Sequence, residues 1–236
     1  MARILISLLF VLSRCECVQA TNPAEWKTFN TFNKLQIEYT VLLPKEFDPN
    51  KTYPAVLSFS TYRYNKEKTL SMANEFWNEA TMEDYIVIVP TSPKDQNRGW
   101  ISHPAHHGLL DFLKMINKTY RIENDKFHIL GFEEGCIPAQ TYVTKDLFVS
   151  LTTVSSEEWG RFDSDWYEKM SKHQMPTLII YGIEDESGVS IGKQAKFELS
   201  KRGVVSQLIL DEGDRYTLPS AHGNQVLKHL SDFVNR

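Results

Sequence analysis

The chain is poor in cysteine, with 3 in 236 residues, and two of these, Cys15 and Cys17, stand near the N-terminus. So few thiols exclude a disulfide framework, and their spacing offers neither a four-cysteine nor a mixed cysteine–histidine zinc site, so stability has to come from a packed core. An excess of charge of one sign is also missing: 26 Lys and Arg stand against 30 Asp and Glu, for a net charge of −4. The most basic cluster, Lys66-Glu67-Lys68, is interrupted by an acid, whereas a nucleic-acid binder presents a continuous basic patch. No apolar run approaches the roughly 20 residues that span a bilayer, which argues against stable membrane insertion. Repeats, low-complexity tracts and Gly/Ser linkers are absent from residues 21 to 236, and a single domain is expected there. What is present is ordinary for a globule: 42% of the residues are hydrophobic and 12% are aromatic, in a chain long enough to bury roughly 70% of its unfolded surface.

Residues 1 to 20 read as a secretory leader. Arg3 opens it, Ile4 to Leu12 form an apolar stretch broken only by Ser7, and Val18-Gln19-Ala20 follows the small-residue cleavage rule. Cleavage after Ala20 removes Cys15 and Cys17 and leaves Cys136 as the remaining thiol; the leader carries a net +1, so the charge falls from −4 to −5. A secreted or periplasmic protein is expected. Asn50-Lys51-Thr52 and Asn117-Lys118-Thr119 have the form of N-glycosylation sequons, which matter only on a eukaryotic secretory route.

Beyond the leader, short runs rich in Val, Ile and Leu alternate with helical patterns. Leu35 to Leu43, Ala55 to Ser60, Tyr85 to Val89, Phe127 to Gly131, Leu147 to Val154, Thr177 to Tyr181 and Ser206 to Leu210 read as strands, most of them buried on both faces. Ser71 to Met82, His107 to Tyr120, Ile137 to Lys145, Ile191 to Lys201 and Asn224 to Phe233 carry helical spacing. Such alternation predicts an α/β protein with a mostly parallel central sheet and helices on both faces, a three-layer sandwich. Ligands in that architecture sit at the carboxyl ends of the strands.

Three motifs fall at those ends. Gly131-Phe132-Glu133-Glu134-Gly135 follows a strand and precedes a helix, in the frame of a nucleophile elbow whose glycines permit a sharp turn. Gly182-Ile183-Glu184-Asp185 follows the strand Thr177 to Tyr181, and Ser220-Ala221-His222-Gly223 precedes the terminal helix. Elbow, acid and histidine come in the chain order of α/β-hydrolases.

On these motifs, and on Leu109 to Gly135 and Tyr181 to Asp185 in particular, residues 35 to 236 resemble an α/β-hydrolase of the secreted esterase type, similar to the polyhydroxybutyrate-depolymerase, feruloyl-esterase and dienelactone-hydrolase branches. The resemblance implies the α/β-hydrolase fold, no cofactor, and a triad at Glu133, Asp185 and His222, with Ser60, Thr61, Glu134 and Trp100 as candidate substrate-binding residues. The chain departs from the family where the chemistry happens. Glu133 stands at the nucleophile position without a hydroxyl, and Ser60-Thr61-Tyr62-Arg63-Tyr64 replaces the His-Gly that often opens the oxyanion loop. With Glu133 in place of serine, His222 would lie between two carboxylates, which favours the imidazolium and removes a general base.

Two readings follow: a binding descendant that holds a small ester, an acyl-carbohydrate ligand or a protein partner without turnover, or a working hydrolase that acts through Glu133 or another group. Other candidates have plainer explanations. Cys136 lies three positions past the elbow centre and reads as a small buried hydrophobe. His103, His106 and His107, with Asp111 one turn on, straddle Pro104 and do not converge as metal ligands do, so no metal is expected. Trp100 reads either as a cleft-wall aromatic or as ordinary core, and Asp185 either as the triad acid or as a turn residue.

Overall fold

The computed structural model describes residues 26–60, 66–77, 84–93, 99–159, 165–215, 217 and 223–234. The described strands are β1 (Lys27–Asn30), β2 (Gln36–Leu42), β3 (Tyr53–Phe59), β4 (Ile86–Pro90), β5 (Ile122–Phe132), β6 (Phe148–Val154), β7 (Thr177–Gly182) and β8 (Ser206–Asp211), and all lie in one sheet. The helices are α1 (Lys66–Trp77), α2 (His103–Thr119), α3 (Cys136–Tyr142), α4 (Trp166–His173), α5 (Glu186–Lys201) and α6 (Gly223–Val234). The strand order is β1-β2-β4-β3-β5-β6-β7-β8; β2 runs antiparallel to both its neighbours, and β4 to β8 pair in parallel with β3 among them.

Alternation along the strands divides the core in two. Ala55, Leu57, Phe59, Ile86, Ile88, Phe127 and Ile129 face one way, onto Leu109, Phe112, Leu113 and Ile116 of α2, Met170 of α4 and Leu199 of α5. Val56, Val87, Val89, Leu130, Phe132, Leu178 and Ile180 face the other way, onto Phe76 and Trp77 of α1 and Val226, Leu227 and Leu230 of α6. The sheet is thus covered on both faces, as the continuous apolar runs predict. Among the described residues no helix is long and apolar enough to cross a membrane.

Several boundaries differ from the sequence reading. Helix α2 starts earlier because Ser102 caps it, accepting a hydrogen bond from the Ala105 N–H, with Pro104 in the first turn. Strand β5 starts at Ile122 rather than Phe127; Asn124 and Asp125 take positive φ there, and the register with β3 slips across the irregularity. Helix α1 begins at Lys66, five residues before the expected start, and α5 at Glu186 rather than Ile191. Strand β1 and helix α4 have no counterpart in the expectation. Four polar-leaning residues form β1 only by pairing with β2, and α4 offers only Trp166 and Met170 as fully buried positions.

Candidate functional site

The turn after β5 is built by close approach of backbone. A Cβ on Gly131 would collide with the Cα of Cys136, and one on Gly135 would collide with the carbonyl oxygen of Phe59. Only glycine fits at either position, which is why the chain can leave β5, make one turn of 3-10 helix over Glu133–Gly135 and enter α3 at once. Glu133, half-buried, sits at the centre of this turn with φ +48°. A left-handed backbone at a residue with a long side chain is a strained arrangement, and such strain gathers at functional positions. Glu134, beside it, is buried at 9% exposure.

Cys136 closes the turn from beneath. Its thiol donates to the carbonyls of Gly131 (3.1 Å) and Val154 (3.5 Å) and is fully buried. Burial pushes its pKa up to about 12, with Glu133 and Glu157 adding to the rise against hydrogen bonds that oppose it. A thiol held neutral in this way is no nucleophile; it packs and fixes the turn.

Register brings a second strained residue alongside. Phe132 pairs with Val154, so Glu133 and Ser155 leave adjacent strands at the same level. Ser155 has φ +51° and is 2% exposed, and its buried hydroxyl finds no hydrogen-bond partner in the protein. Ser156, next to it, is satisfied: its hydroxyl accepts from Gln140 Nε2 and donates to the Glu158 carbonyl, and its own carbonyl accepts from the Tyr181 hydroxyl at 2.5 Å.

Asp185 stands after β7, two strands from Glu133, which ordinary strand spacing makes about 10 Å across the sheet. It has work of its own. Oδ1 accepts from the Gly188 N–H at 3.0 Å, capping α5, from the Ser187 hydroxyl at 3.0 Å and from Arg215 Nη2 at 3.2 Å. Arg215 also reaches Glu157 Oε1 at 3.3 Å, so its guanidinium bridges the ends of β6 and β7. Burial by itself raises the Asp185 pKa, but the hydrogen bonds from Gly188, Arg215 and Ser187 together with the charge of Arg215 outweigh it and hold the carboxyl below its ordinary value. The carboxylate is therefore already compensated. The group that compensates it is an arginine that sequence reading passed over.

The remaining candidates fall as follows. Ser60 is buried at the end of β3, and its carbonyl faces Gly135, so the loop after β3 starts against the elbow. Thr61 and His222 lie outside the described residues. Trp100 is 4% exposed; it packs edge-on against Phe59, and its carbonyl accepts from the Tyr142 hydroxyl, so it belongs to the core beneath the sheet ends rather than to an open cleft wall. His106 stacks on Tyr142 with ring centroids 5.2 Å apart and meets His107 edge-on, while Asp111 pairs with Lys114. Among the described residues no three potential ligands converge on a metal-sized space. Sequence reading missed Arg215, Glu157 and Ser155. Their only local signal is position just after a strand.

The arrangement defines a class of protein. An eight-stranded sheet with this order, a glycine-framed turn after β5 and an acid after β7 form an α/β-hydrolase fold, and solved structures agree. The chain superposes on a thermostable esterase (TM-score 0.62, 16% identity), covering 90% of this chain and 61% of that one, so it spans less than two thirds of that protein's length. It superposes on a ferulic acid esterase with TM-score 0.65 at 17% identity, covering 89% and 98% of the two chains. An S-formylglutathione hydrolase from Staphylococcus aureus gives TM-score 0.68 at 14% identity, covering 90% and 96%. No protein-family model matches the chain, and no curated protein matches it in sequence. Identity this low shows the fold; the chemistry has to be read from the residues.

Proposed function

We propose that this is an exported, esterase-like α/β-hydrolase in which Glu133 has taken the place of the nucleophilic serine, and that it binds a carboxylic-ester or acyl-carbohydrate ligand with little or no turnover. The observation that carries the reading is the strained Glu133 at the centre of a turn that only two glycines allow. Attack on an ester carbonyl through a triad needs a hydroxyl that a neighbouring base can deprotonate, and a carboxylate supplies none. Capture of Asp185 by Arg215 adds to it, since an acid neutralised in this way orients and charges a histidine less effectively. The polar ends of β5 to β8, with Glu133, Ser155, Glu157 and Arg215, suit a ligand rich in hydroxyl and carbonyl groups. The leader pattern of residues 1 to 20 supports export.

The test is a panel of aryl, feruloyl and thiol esters assayed with the purified mature protein, alongside thermal unfolding with each compound. A binder gives saturable stabilisation and no burst or turnover; serine-directed fluorophosphonate leaves it unlabelled. Robust hydrolysis that disappears in Glu133→Gln would establish instead a hydrolase working through the carboxylate, and stoichiometric labelling of any serine would overturn the proposal. Glu133→Ser should recover at most weak aryl-esterase activity, because the loop from Ser60 to Tyr64 departs from the oxyanion pattern.

A further inference from the structure

We infer that the outer edge of β8 is the interface of a two-fold symmetric dimer, in which the sheet continues through antiparallel β8 strands of two copies of this chain. The inference stands apart from the proposed function and does not depend on it.

The two edges of the sheet are treated differently. At one end β1 is four residues long, and its Lys27 is tied to the Tyr120 hydroxyl at 3.0 Å. Short length and a lysine are ordinary ways of blunting an edge. At the other end β8 runs for six residues in unbroken register with β7, and Ser206-Gln207-Leu208-Ile209-Leu210-Asp211 contains no lysine, proline or bulge. No described strand pairs with its outer side. Of the five large hydrophobic residues that are exposed among those described, Val205 (61%) and Leu210 (40%) lie at the two ends of this strand, and Ile183 (59%) sits beside its upper end, with its N–H donating to the Asp211 carbonyl. An unprotected edge flanked by bare apolar groups is a template for pairing.

The occupant follows from register. The carbonyls of Val205 and Asp211 accept from β7, so odd-numbered residues hydrogen-bond inward, and Ser206, Leu208 and Leu210 direct their N–H and C=O groups outward. In an antiparallel ladder, residues that exchange both bonds stand opposite one another. The two-fold axis then passes through Leu208: Leu208 faces its own copy, and Ser206 faces Leu210. On the opposite face of the sheet Gln207 meets Ile209, and Asp211, the one charged residue of the strand, meets Val205. No like charges oppose each other along the seam.

The helices agree. Ser200 of α5 meets Ser206 (3.1 Å between hydroxyls), and Gly192 lies over Leu208, so α5 crosses the axis near its middle and its copy runs past in the opposite direction. The second half of one helix, with Lys196 and Lys201 and with Glu198 already paired to Arg202, then lies beside the first half of the other, with Glu186 and Lys193, and Glu184 just ahead of it. A foreign strand would share the hydrogen bonds but not this self-complementarity.

Light scattering of the mature wild-type protein across a concentration series should give twice the chain mass at the upper end, and a monomer up to about 100 µM would overturn the inference. The register is tested by oxidative cross-linking. Cα atoms of a hydrogen-bonded antiparallel pair are about 5.5 Å apart, within reach of a disulfide, so Leu208→Cys should cross-link to its own copy in high yield. Ser206→Cys alone should not, because its copy lies four residues away along the seam, whereas the double variant Ser206→Cys/Leu210→Cys should. Cys136 is buried and does not compete. Cross-linking of Ser206→Cys as efficient as that of Leu208→Cys would refute the pairing, and the wild-type mass decides the matter even if a cysteine variant fails to fold.

Discussion

Lowering the pH tests the account of the core at one residue. His128 lies in the middle of β5 with 6% exposure, its Nδ1 2.7 Å from the hydroxyl of the fully buried Ser150, on the side of the sheet where the Tyr85 ring approaches to 6.0 Å and the Tyr85 hydroxyl meets Ser231 of α6. Burial, which penalises the charged form, lowers its pKa from 6.5 to about 4. In the unfolded chain the imidazole takes up a proton at its ordinary value, so between the two values the unfolded state binds more protons. The stability contributed by neutral His128 is therefore complete above about pH 6.5, declines as the pH falls, and is gone below about pH 4. The full span is worth about 3 kcal/mol, of which about 2 kcal/mol is lost between pH 7.5 and pH 5. Urea unfolding of wild type and His128→Gln at those two pH values isolates the effect. The variant starts less stable, having lost its packing, but its pH dependence between 7.5 and 5 should be shallower by about 2 kcal/mol. Slopes agreeing within about 0.5 kcal/mol would refute the claim that the folded core holds this histidine neutral.

Other outcomes follow from the site and its surroundings. Gly135→Ala, which sets a methyl against the backbone carbonyl of Phe59, should cost about 2 kcal/mol or more by urea unfolding, because a backbone oxygen in a central strand cannot move aside. The Cys136 thiol should resist Ellman-type reagents in the native protein at pH 8 and react at once on denaturation; rapid native labelling would show that the elbow opens. Arg215→Ala should raise the Asp185 pKa, so that the stability contributed by this carboxyl, present above its unfolded value and lost as the pH falls through the folded one, becomes smaller and its loss ends at a higher pH; carboxyl NMR titration reads the pKa directly. Exported protein should begin at Thr21 by intact mass, and a species that retains Cys15 and Cys17 would contradict the leader reading.

Much of this molecule is written locally. The runs Ala55 to Ser60, Phe127 to Gly131 and Thr177 to Tyr181 could be assigned as buried strands because continuous Val, Ile and Leu have no other stable placement between amphipathic helices, and that alternation leads to a parallel sheet covered on both faces. The glycines of the elbow were legible too, since a strand followed at once by a helix requires a sharp turn. Other features depend on residues far apart in the chain. Strand β1 exists only because β2 pairs with it, and the slip in β5 arises where β3 sets the register. Trp100 could have stood in a cleft or in the core, and the contact with Phe59, 41 positions earlier, decides for the core. Arg215 gives no sign in sequence that it will bridge Asp185, 30 residues back, and Glu157, 58 residues back, because an ion pair between strand ends leaves no period or motif. The same holds for Ser155 beside Glu133. Hydrophobic period and turn chemistry act over a few residues and can be read along the chain, whereas the charge and strain of the site are set by which strand ends the assembled sheet brings together.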